Sequence, residues 1–360
     1  MDAAVRGWTM GAGMPENPHI LIIRRRYLGD VVLLGSFIRN LRRHWPTAEI
    51  QVLVEPAYAG VLALNPDADE PLLAPRHWSG WLKFLLALRR RRWTHVFNFD
   101  NTEGTALIAR LTGAPFRLGL HHGGYKLKFR SCYTHVVNDP NELHEAHSIT
   151  DYFLLALAPA GVPLVTREVQ LVPRKEDVAV LQRIVGAVGP VLLVHPGSRS
   201  PWRVWPAERF AAVCDRVQEE LGVQVVLTGG TAERALIKEI RRQARVHILA
   251  FTEPLTLPRF AALARLATVT LCHDSGPMHV AAAVGTPVVA LYGSQSALVF
   301  HPSGSGHTLL QPPMPCTACV APDQCVPLDS YHNYCVRRLG VEEVFAAVRD
   351  QFARVAALPR

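Results

Sequence analysis

The sequence predicts an α/β protein of two Rossmann-like domains, each with a doubly wound parallel sheet, that face one another across a cleft. Short apolar strands alternate with amphipathic helices from His19 to Leu120, and the same alternation restarts at Val191. Because parallel strands need crossover connections, this alternation is typical of doubly wound sheets. At 360 residues the chain is long enough for two domains with full cores.

The first half begins with an apolar strand over 19–24 and a turn over 27–30. A helix is predicted over 31–43 because apolar residues recur there at helical spacing. The later elements of this half are strands over 50–54, 96–99 and 116–120 and helices over 57–64, 81–92, 105–111 and 144–157. Periodicity is poor over 121–141, and residues 163–189 are predicted to bridge the two halves through a strand-like piece and a helix.

The second half repeats the pattern. Its predicted elements are strands over 191–194, 223–227, 246–249, 268–272 and 287–292 and helices over 206–221, 232–242, 257–267, 277–284 and 341–356. The predicted domains are a flexible tail over 1–17, a first domain over 18–173, a linker region over 174–189, a second domain over 190–340 and a terminal helix over 341–360.

No stretch reaches the roughly 18 apolar residues that span a bilayer, and residues 1–17 lack an apolar core of signal-peptide length. We therefore expect a cytoplasmic protein. The formal charge of +8 and the pI near 9.3 favour an anionic partner, which is a phosphorylated substrate, a membrane surface or nucleic acid. Because no recognisable nucleic-acid module is present, nucleic acid is not expected as a partner.

The segment 268–293 is the most informative part of the sequence. A buried strand runs into the polar cluster His273-Asp274-Ser275-Gly276, and an apolar helix follows from Pro277. Proline suits the first helical position, and Asp274 or Ser275 can cap the free amides. A strand that delivers such a turn onto a helix N-terminus suits a phosphate, although a well-capped connection without a ligand has the same pattern.

Asp30 follows the first strand, where open α/β sheets place their ligands. An aspartate there can act as a general base, and the helix N-terminus favours its ionised form. From the residues alone, a helix-capping aspartate is the commoner explanation.

Four segments resemble the ADP-heptose:lipopolysaccharide heptosyltransferases, glycosyltransferase family 9. They are D-S-G-P-x-H-x-A-A-A-x-G-T-P-x-V-x-L-x-G at 274–293, R-x-x-x-L-G-D-V-V-L at 24–33, H-P-G at 195–197 followed by W-R-V-W-P at 202–206, and G-x-x-x-E at 229–233. The resemblance covers nearly the whole chain after the tail, and the general pattern looks most similar to the third-heptose subgroup. It implies the GT-B architecture and inverting transfer of heptose from ADP-L-glycero-D-manno-heptose to the lipopolysaccharide inner core, with no cofactor and no divalent metal.

The resemblance also implies roles for individual residues. Asp30 matches the proposed base, and Arg203 stands where the family commonly has a lysine that faces the departing diphosphate; its neighbour Arg199 could share that task. Donor-binding positions are Ser198, Glu233, Asp274, Ser275, Gly276, Pro277 and His279, with Glu233 on the ribose hydroxyls. Since the implied acceptor carries phosphates and carboxylates, the basic residues His121, Lys126, Lys128 and Arg130 are predicted to bind it. The partners are then the ADP-heptose donor, the anionic core acceptor and the inner leaflet of the membrane, to which the enzyme would be peripheral.

Four of the seven cysteines cluster late, at Cys316, Cys319, Cys325 and Cys335. In a reducing compartment this spacing suggests metal before disulfide. We favour a structural loop without metal, and a four-cysteine metal site stays an open hypothesis.

Three alternative functions remain. The chain could transfer heptose to a protein, as does a branch of the same family that holds iron with cysteines, or it could be another GT-B nucleotide-sugar transferase. A nucleotide-sugar-binding protein without turnover is the least favoured choice. The segment 78–93 joins apolar residues to four arginines, so it could lie on anionic lipid. We favour a domain helix with cations at its C-terminus.

Overall fold

In the computed structural model, residues 17–122, 126–139, 147–186, 189–313, 325 and 334–357 are described. The predicted tail lies outside these ranges except for its last residue, as do the start of the predicted helix over 144–157 and two of the four clustered cysteines, Cys316 and Cys319.

The first lobe is built on a sheet of six parallel strands. Its strands are β1 (His19–Ile23), β2 (Glu49–Val54), β3 (Leu72–Leu73), β4 (His95–Asn98), β5 (Phe116–His122) and β6 (His135–Asp139). They lie in the order β3-β2-β1-β4-β5-β6, so the chain moves outward in one direction from β1 and then in the other. The helices are α1 (Leu28–Leu33), α2 (Gly35–His44), α3 (Ala59–Leu62), α4 (Trp81–Arg90), α5 (Glu103–Leu111) and α6 (Ile149–Leu154).

The second lobe repeats this plan after α7 (Lys175–Val185). Its strands are β7 (Val191–His195), β8 (Gln224–Leu227), β9 (Leu249–Ala250), β10 (Val269–His273), β11 (Val288–Leu291) and β12 (Thr308–Leu310), in the order β9-β8-β7-β10-β11-β12. The helices are α8 (Ala207–Leu221), α9 (Arg234–Gln243), α10 (Leu257–Leu266), α11 (Gly276–Ala283) and α12 (Val341–Ala356). The predicted pair of doubly wound parallel sheets, and with it the GT-B architecture, is confirmed.

One apolar core joins the two lobes. Ile20 and Ile22 of β1 belong to a buried cluster that continues through α2 and α6 into α10 and α11 of the second lobe. The alternate residues Leu21 and Ile23 point to the other face of the sheet, where they pack beneath α4 and α5. Helices α4 and α5 therefore form the layer of the first lobe that faces away from the shared core.

The predicted helix over 31–43 is wrong in its start and its continuity. Helix α1 already begins at Leu28, and a break at Leu34 separates it from α2. The Ser36 hydroxyl donates to the Leu33 carbonyl at 3.1 Å, and such local bonds compete with the helical ladder. Three short strands, β3, β6 and β12, were not predicted: β3 and β12 have only two and three residues, and β6 lies within 121–141, where periodicity is poor.

Within the described ranges, we find no helix that is both long and apolar enough to cross a membrane.

Candidate functional site

The polar turns of both lobes lie where the strand order of each sheet reverses. In the first lobe the reversal lies between β1 and β4, and in the second between β7 and β10. Open parallel sheets bind their ligands outside the carboxyl ends of strands at this point. The motif residues that follow β1, β7 and β10 therefore lie at the edges of the sheets where ligands are expected.

Asp30 lies in the first turn of α1 and is held by Arg24. Arg24 Nη2 donates to Asp30 Oδ2, while Nη1 donates to Asp100 Oδ1 at 3.2 Å and to the Phe99 carbonyl at 2.9 Å. The Arg24 and Asp30 side chains are only 14% and 16% exposed. One guanidinium thus ties the turn after β1 to the turn after β4, which fixes the orientation of the Asp30 carboxylate.

Asp274 and Arg203 form the corresponding charged pair of the second lobe. Arg203 Nη1 lies 3.7 Å from Asp274 Oδ2. Burial raises the pKa of Asp274 to about 6; Arg203 opposes this rise and the negative charge of Asp30 adds to it. Because Asp30 belongs to the other lobe, the two carboxylates lie near enough across the cleft for their charges to interact.

The lobes touch through the N-terminal turns of α1 and α11. A Cβ added to Gly29 would lie 2.7 Å from His279 Cδ2, and one added to Gly276 would lie 2.7 Å from Leu28 Cβ. Both glycines therefore allow a close approach that no other residue type permits. His279, predicted to bind the donor, is 5% exposed and packs against Gly29, and burial lowers its pKa to about 3.

The expected capping of α11 is wrong. The Ser275 hydroxyl donates to the His273 carbonyl at 3.2 Å, and among the described side chains none caps the amides of this helix. Pro277 does occupy the first turn as predicted, where an amide is not needed. No side chain caps the first turn of α11, although the Met278 amide donates to the Ser275 carbonyl at 3.1 Å, so the positive end of the helix dipole is available to an anion.

A cavity of about 610 Å³ opens in the second lobe between the segment after β7 and the starts of α8 and α9. Ser198 and Glu233, both predicted to bind the donor, line it. Glu233 Oε2 accepts the Gly230 amide at 2.7 Å, and a Cβ on Gly197 would lie 2.6 Å from Glu233 Cδ. The missing side chain at Gly197 leaves room for Glu233 to reach over the turn after β7, with its second oxygen directed there.

His273, at the end of β10, joins the turns of this lobe. Its Nε2 accepts the Trp205 amide at 2.8 Å, so the ring proton is on Nδ1, which faces the Gly197 carbonyl at 3.4 Å. The ring is fully buried, and burial lowers its pKa to about 3. The neutral imidazole thereby fixes the segment that carries Arg203 relative to the turn that carries Ser198.

The predicted acceptor residues lie at the same edge of the first lobe. His121 is the second-last residue of β5. Three further basic residues, Lys126, Lys128 and Arg130, are exposed on the segment that follows this strand. Asn101, next to Asp100, orders this segment: its Oδ1 accepts the Lys128 amide at 2.9 Å. The basic segment therefore borders the Arg24–Asp100 pair, and its role in acceptor binding stays a prediction.

The predicted cysteine cluster cannot be assembled from the described residues, since Cys316 and Cys319 lie outside them. Cys335 is buried in the short 3-10 helix Cys335–Arg338, and Cys325 is half-buried. No group of three or more metal-binding side chains occurs in the described ranges. The metal hypothesis stays open.

Sequence reasoning missed Arg24, Asp100, His273 and Tyr27 as site residues. The rule that identified Asp30 also applies to Asp100, which lies two residues after the end of the buried strand β4. Tyr27 precedes α1 with a left-handed φ of 69°, and the guanidinium of Arg199 lies 4.7 Å from its ring centroid. This contact also spans the two lobes, and nothing in the sequence pattern marks it.

Comparisons with known proteins agree on one family. Residues 81–327 match the model of glycosyltransferase family 9 (heptosyltransferase). The chain is 26% identical over 301 residues to lipopolysaccharide heptosyltransferase 3 of Escherichia coli K12, covering 77% of this chain and 83% of that protein. It is also 26% identical over 298 residues to heptosyltransferase 2 of the same strain, with the same shares covered. A crystal structure of a family 9 glycosyltransferase from Veillonella parvula superposes with a TM-score of 0.82 at 23% identity, covering 95% of this chain and 99% of that one.

Proposed function

This chain belongs to glycosyltransferase family 9, the heptosyltransferases, and we propose that it transfers heptose from ADP-L-glycero-D-manno-heptose to the inner core of lipopolysaccharide, with inversion and without a divalent metal. The observation that carries the proposal is the pairing across the cleft. Asp30 of the first lobe lies near enough to Asp274 of the second for their charges to interact, and Arg203 lies 3.7 Å from Asp274, close to the point where the lobes touch. A base and a site for a departing anion are thus on opposite sides of one space.

Asp30 is assigned as the general base. An attacking acceptor hydroxyl loses its proton as it bonds to the sugar, and a positioned carboxylate that accepts this proton typically contributes ~10²–10⁴-fold in rate. Arg24 occupies Asp30 Oδ2, which leaves Oδ1 to receive the hydroxyl proton. Since a single displacement needs one base and no protein nucleophile, this arrangement favours inversion at the anomeric carbon.

Arg203 and the first turn of α11 are assigned to the departing diphosphate. Charge develops on the leaving oxygen in the transition state, and oriented cations and amides stabilise it without reorganisation. The partly buried Arg203 keeps its charge because an arginine does not lose its proton in proteins. These groups would supply the positive charge that a bound metal ion supplies in other nucleotide-sugar transferases.

The adenosine is assigned to the cavity of the second lobe. Glu233 lies on the wall of this cavity, and a carboxylate there can accept hydrogen bonds from both ribose hydroxyls. Asp274, whose pKa of about 6 reflects its burial, is suited to a sugar hydroxyl better than to a phosphate. The basic residues His121, Lys126, Lys128 and Arg130 would bind the phosphates of the acceptor, and the enzyme would act in the cytoplasm at the inner leaflet. The chain is 26% identical to both heptosyltransferase 3 and heptosyltransferase 2, so the identity does not favour either subgroup, and addition of the third heptose stays a prediction.

The test compares Asp30→Asn with Asp100→Asn, its matched control on the same arginine. Purified variants are incubated with ADP-heptose and core acceptor, and the released ADP and the product mass are measured, with and without EDTA. We expect Asp30→Asn to lose ~10²-fold or more in kcat with ADP affinity unchanged, Asp100→Asn to lose far less, and EDTA to have no effect. Equal losses in both variants would show that Asp30 is not the base, and a product of another mass would show that the donor sugar is not heptose.

A further inference from the structure

Helix α4 and the turn before it present an apolar face that no described part of the chain covers. The exposed fractions are 88% for Trp78, 71% for Leu82 and 53% for Leu86. These residues recur every four positions, so they form one continuous stripe. Soluble proteins seldom expose a contiguous stripe of large apolar side chains unless it meets a partner.

The inward side of the same helix supplies the apolar contacts that attach it to the first lobe. Leu88 is buried, and Trp81, Phe84 and Leu85 pack against the core beneath the first sheet. The apolar surface of α4 is therefore wider than the lobe requires. A helix that only covered the sheet would carry polar residues at positions 82 and 86.

Cations border this stripe, and the surrounding segment carries no acid. Residues 71–94 contain six lysines and arginines and no aspartate or glutamate. Lys83 and Arg90 are exposed on α4 itself. An apolar stripe with a cationic border matches an anionic lipid surface, where apolar side chains enter the headgroup region and each cation gains from the surface potential.

The N-terminal end of α4 lies at the same edge of the first sheet as the candidate site. Because α4 connects β3 to β4, its N-terminus lies at the carboxyl edge of the sheet, where Asp30 and Asp100 also lie. Trp81, in its first turn, stacks under the guanidinium of Arg25 at 5.6 Å, and the Arg25 amide donates to Asp100 at 3.0 Å. Helix α4 lies on the face of the first sheet that turns away from the core shared with the second lobe.

We propose that Trp78, Leu82 and Leu86, with Lys83 and Arg90, form a docking surface for an anionic bilayer that sets the acceptor side of the cleft against the membrane. The chain then needs no spanning segment to reach a lipid-borne acceptor. This use of the surface rests on the proposed function, whereas the binding of lipid does not.

The first experiment measures co-sedimentation with vesicles of phosphatidylglycerol mixed with phosphatidylcholine and with vesicles of phosphatidylcholine alone. We expect binding to the anionic vesicles only, and a partition coefficient at least about tenfold lower for Leu82→Gln/Leu86→Gln and for Lys83→Glu/Arg90→Glu. Helix α7 supplies the matched controls: Ile184→Gln, whose side chain is 53% exposed, and Lys175→Glu/Arg183→Glu. Equal loss in the α7 variants, or undiminished binding in the α4 variants, would overturn the proposal.

Two further measurements separate the remaining outcomes. Quenching of tryptophan emission by brominated lipid should fall in Trp78→Phe, since this ring would enter the bilayer. Sedimentation velocity without lipid tests whether the stripe binds a second copy of the chain; a wild-type dimer that Leu82→Gln/Leu86→Gln dissociates would refute bilayer docking.

Transfer assays distinguish this proposal from the proposed function. Leu82→Gln/Leu86→Gln should act normally on a delipidated, soluble acceptor and more slowly on acceptor embedded in anionic vesicles. Vesicle binding by a wild-type protein that transfers no heptose to either acceptor would refute the proposed function and leave the docking surface in place. Equal rates of variant and wild type on the embedded acceptor would refute the orienting role.

Discussion

The contact between Gly29 and His279 predicts the effect of adding one methyl group. In Gly29→Ala the new Cβ would lie 2.7 Å from His279 Cδ2, well inside the roughly 3.5–4.0 Å at which carbon atoms meet favourably. His279 is 5% exposed, so its ring cannot move aside into solvent. Overpacking of this kind typically costs about 1–3 kcal/mol, whereas alanine at a helical position gains only about 0.5–1 kcal/mol over glycine. The clash is larger, and we expect a net loss of about 1–2 kcal/mol in the free energy of unfolding.

The assay is urea unfolding of the wild type, Gly29→Ala, His279→Ala and the double variant. Replacing His279 removes every ring atom near the new methyl group, so the double variant should be more stable than the sum of the single effects by about 1 kcal/mol or more. Gly104→Ala is the control, because Gly104 is also the second residue of a helix, α5, and has open space around its Cα. It should be neutral or stabilising. Additive effects in the cycle, or a Gly29→Ala protein as stable as the wild type, would show that the lobes do not pack as described.

Three further predictions concern the second lobe. The pKa of Asp274 is about 6 in the folded chain and near 3.8 in the unfolded one, so ionisation of this group lowers the free energy of unfolding by about 3 kcal/mol as pH rises from about 4 to 6. Asp274→Asn should remove that fall, which urea titrations at pH 4 and 7 would measure. The same fall in the variant as in the wild type would contradict the assignment. His273→Phe should leave the buried Trp205 amide without its acceptor and lower stability by about 1–3 kcal/mol, with weaker ADP binding by calorimetry; unchanged values for both would contradict the role given to His273 in joining Trp205 to Gly197. Arg203→Lys should retain most of kcat and Arg203→Ala should lose about 10²-fold or more, measured as ADP release; equal rates in the two variants would exclude a role for this charge.

Much of the fold was predictable because its signals are local. Buried parallel strands appear in the sequence as runs of apolar residues. Long helices such as α8 and α12, of 15 and 16 residues, have a clear apolar periodicity. The strands β3 and β12 escaped prediction since their identity depends on a neighbouring strand rather than on their own residues. The break within 31–43 falls at a single residue, Leu34, which no periodic pattern marks.

Site residues could be predicted only where the position of a single residue, next to one strand or helix, is informative by itself. The resemblance to the family identified three such residues, Asp30, Arg203 and Glu233, each of which lies after a strand or near the start of a helix. The pair formed by Arg24 and Asp100 joins turns that are 76 residues apart, so only the folded sheet brings these two side chains together. The ring of His279, predicted to bind the donor, packs against Gly29 in the structure, a contact that the motif does not reveal, and its role in donor binding stays a prediction.

The meeting of α1 and α11 also couples the two lobes at the candidate site. Gly29 is next to Asp30 in the first lobe, and Gly276 lies two residues after Asp274 in the second, so the contact between the lobes lies beside both carboxylates. A displacement of one lobe against the other at this contact would therefore change the distance between Asp30 and Asp274.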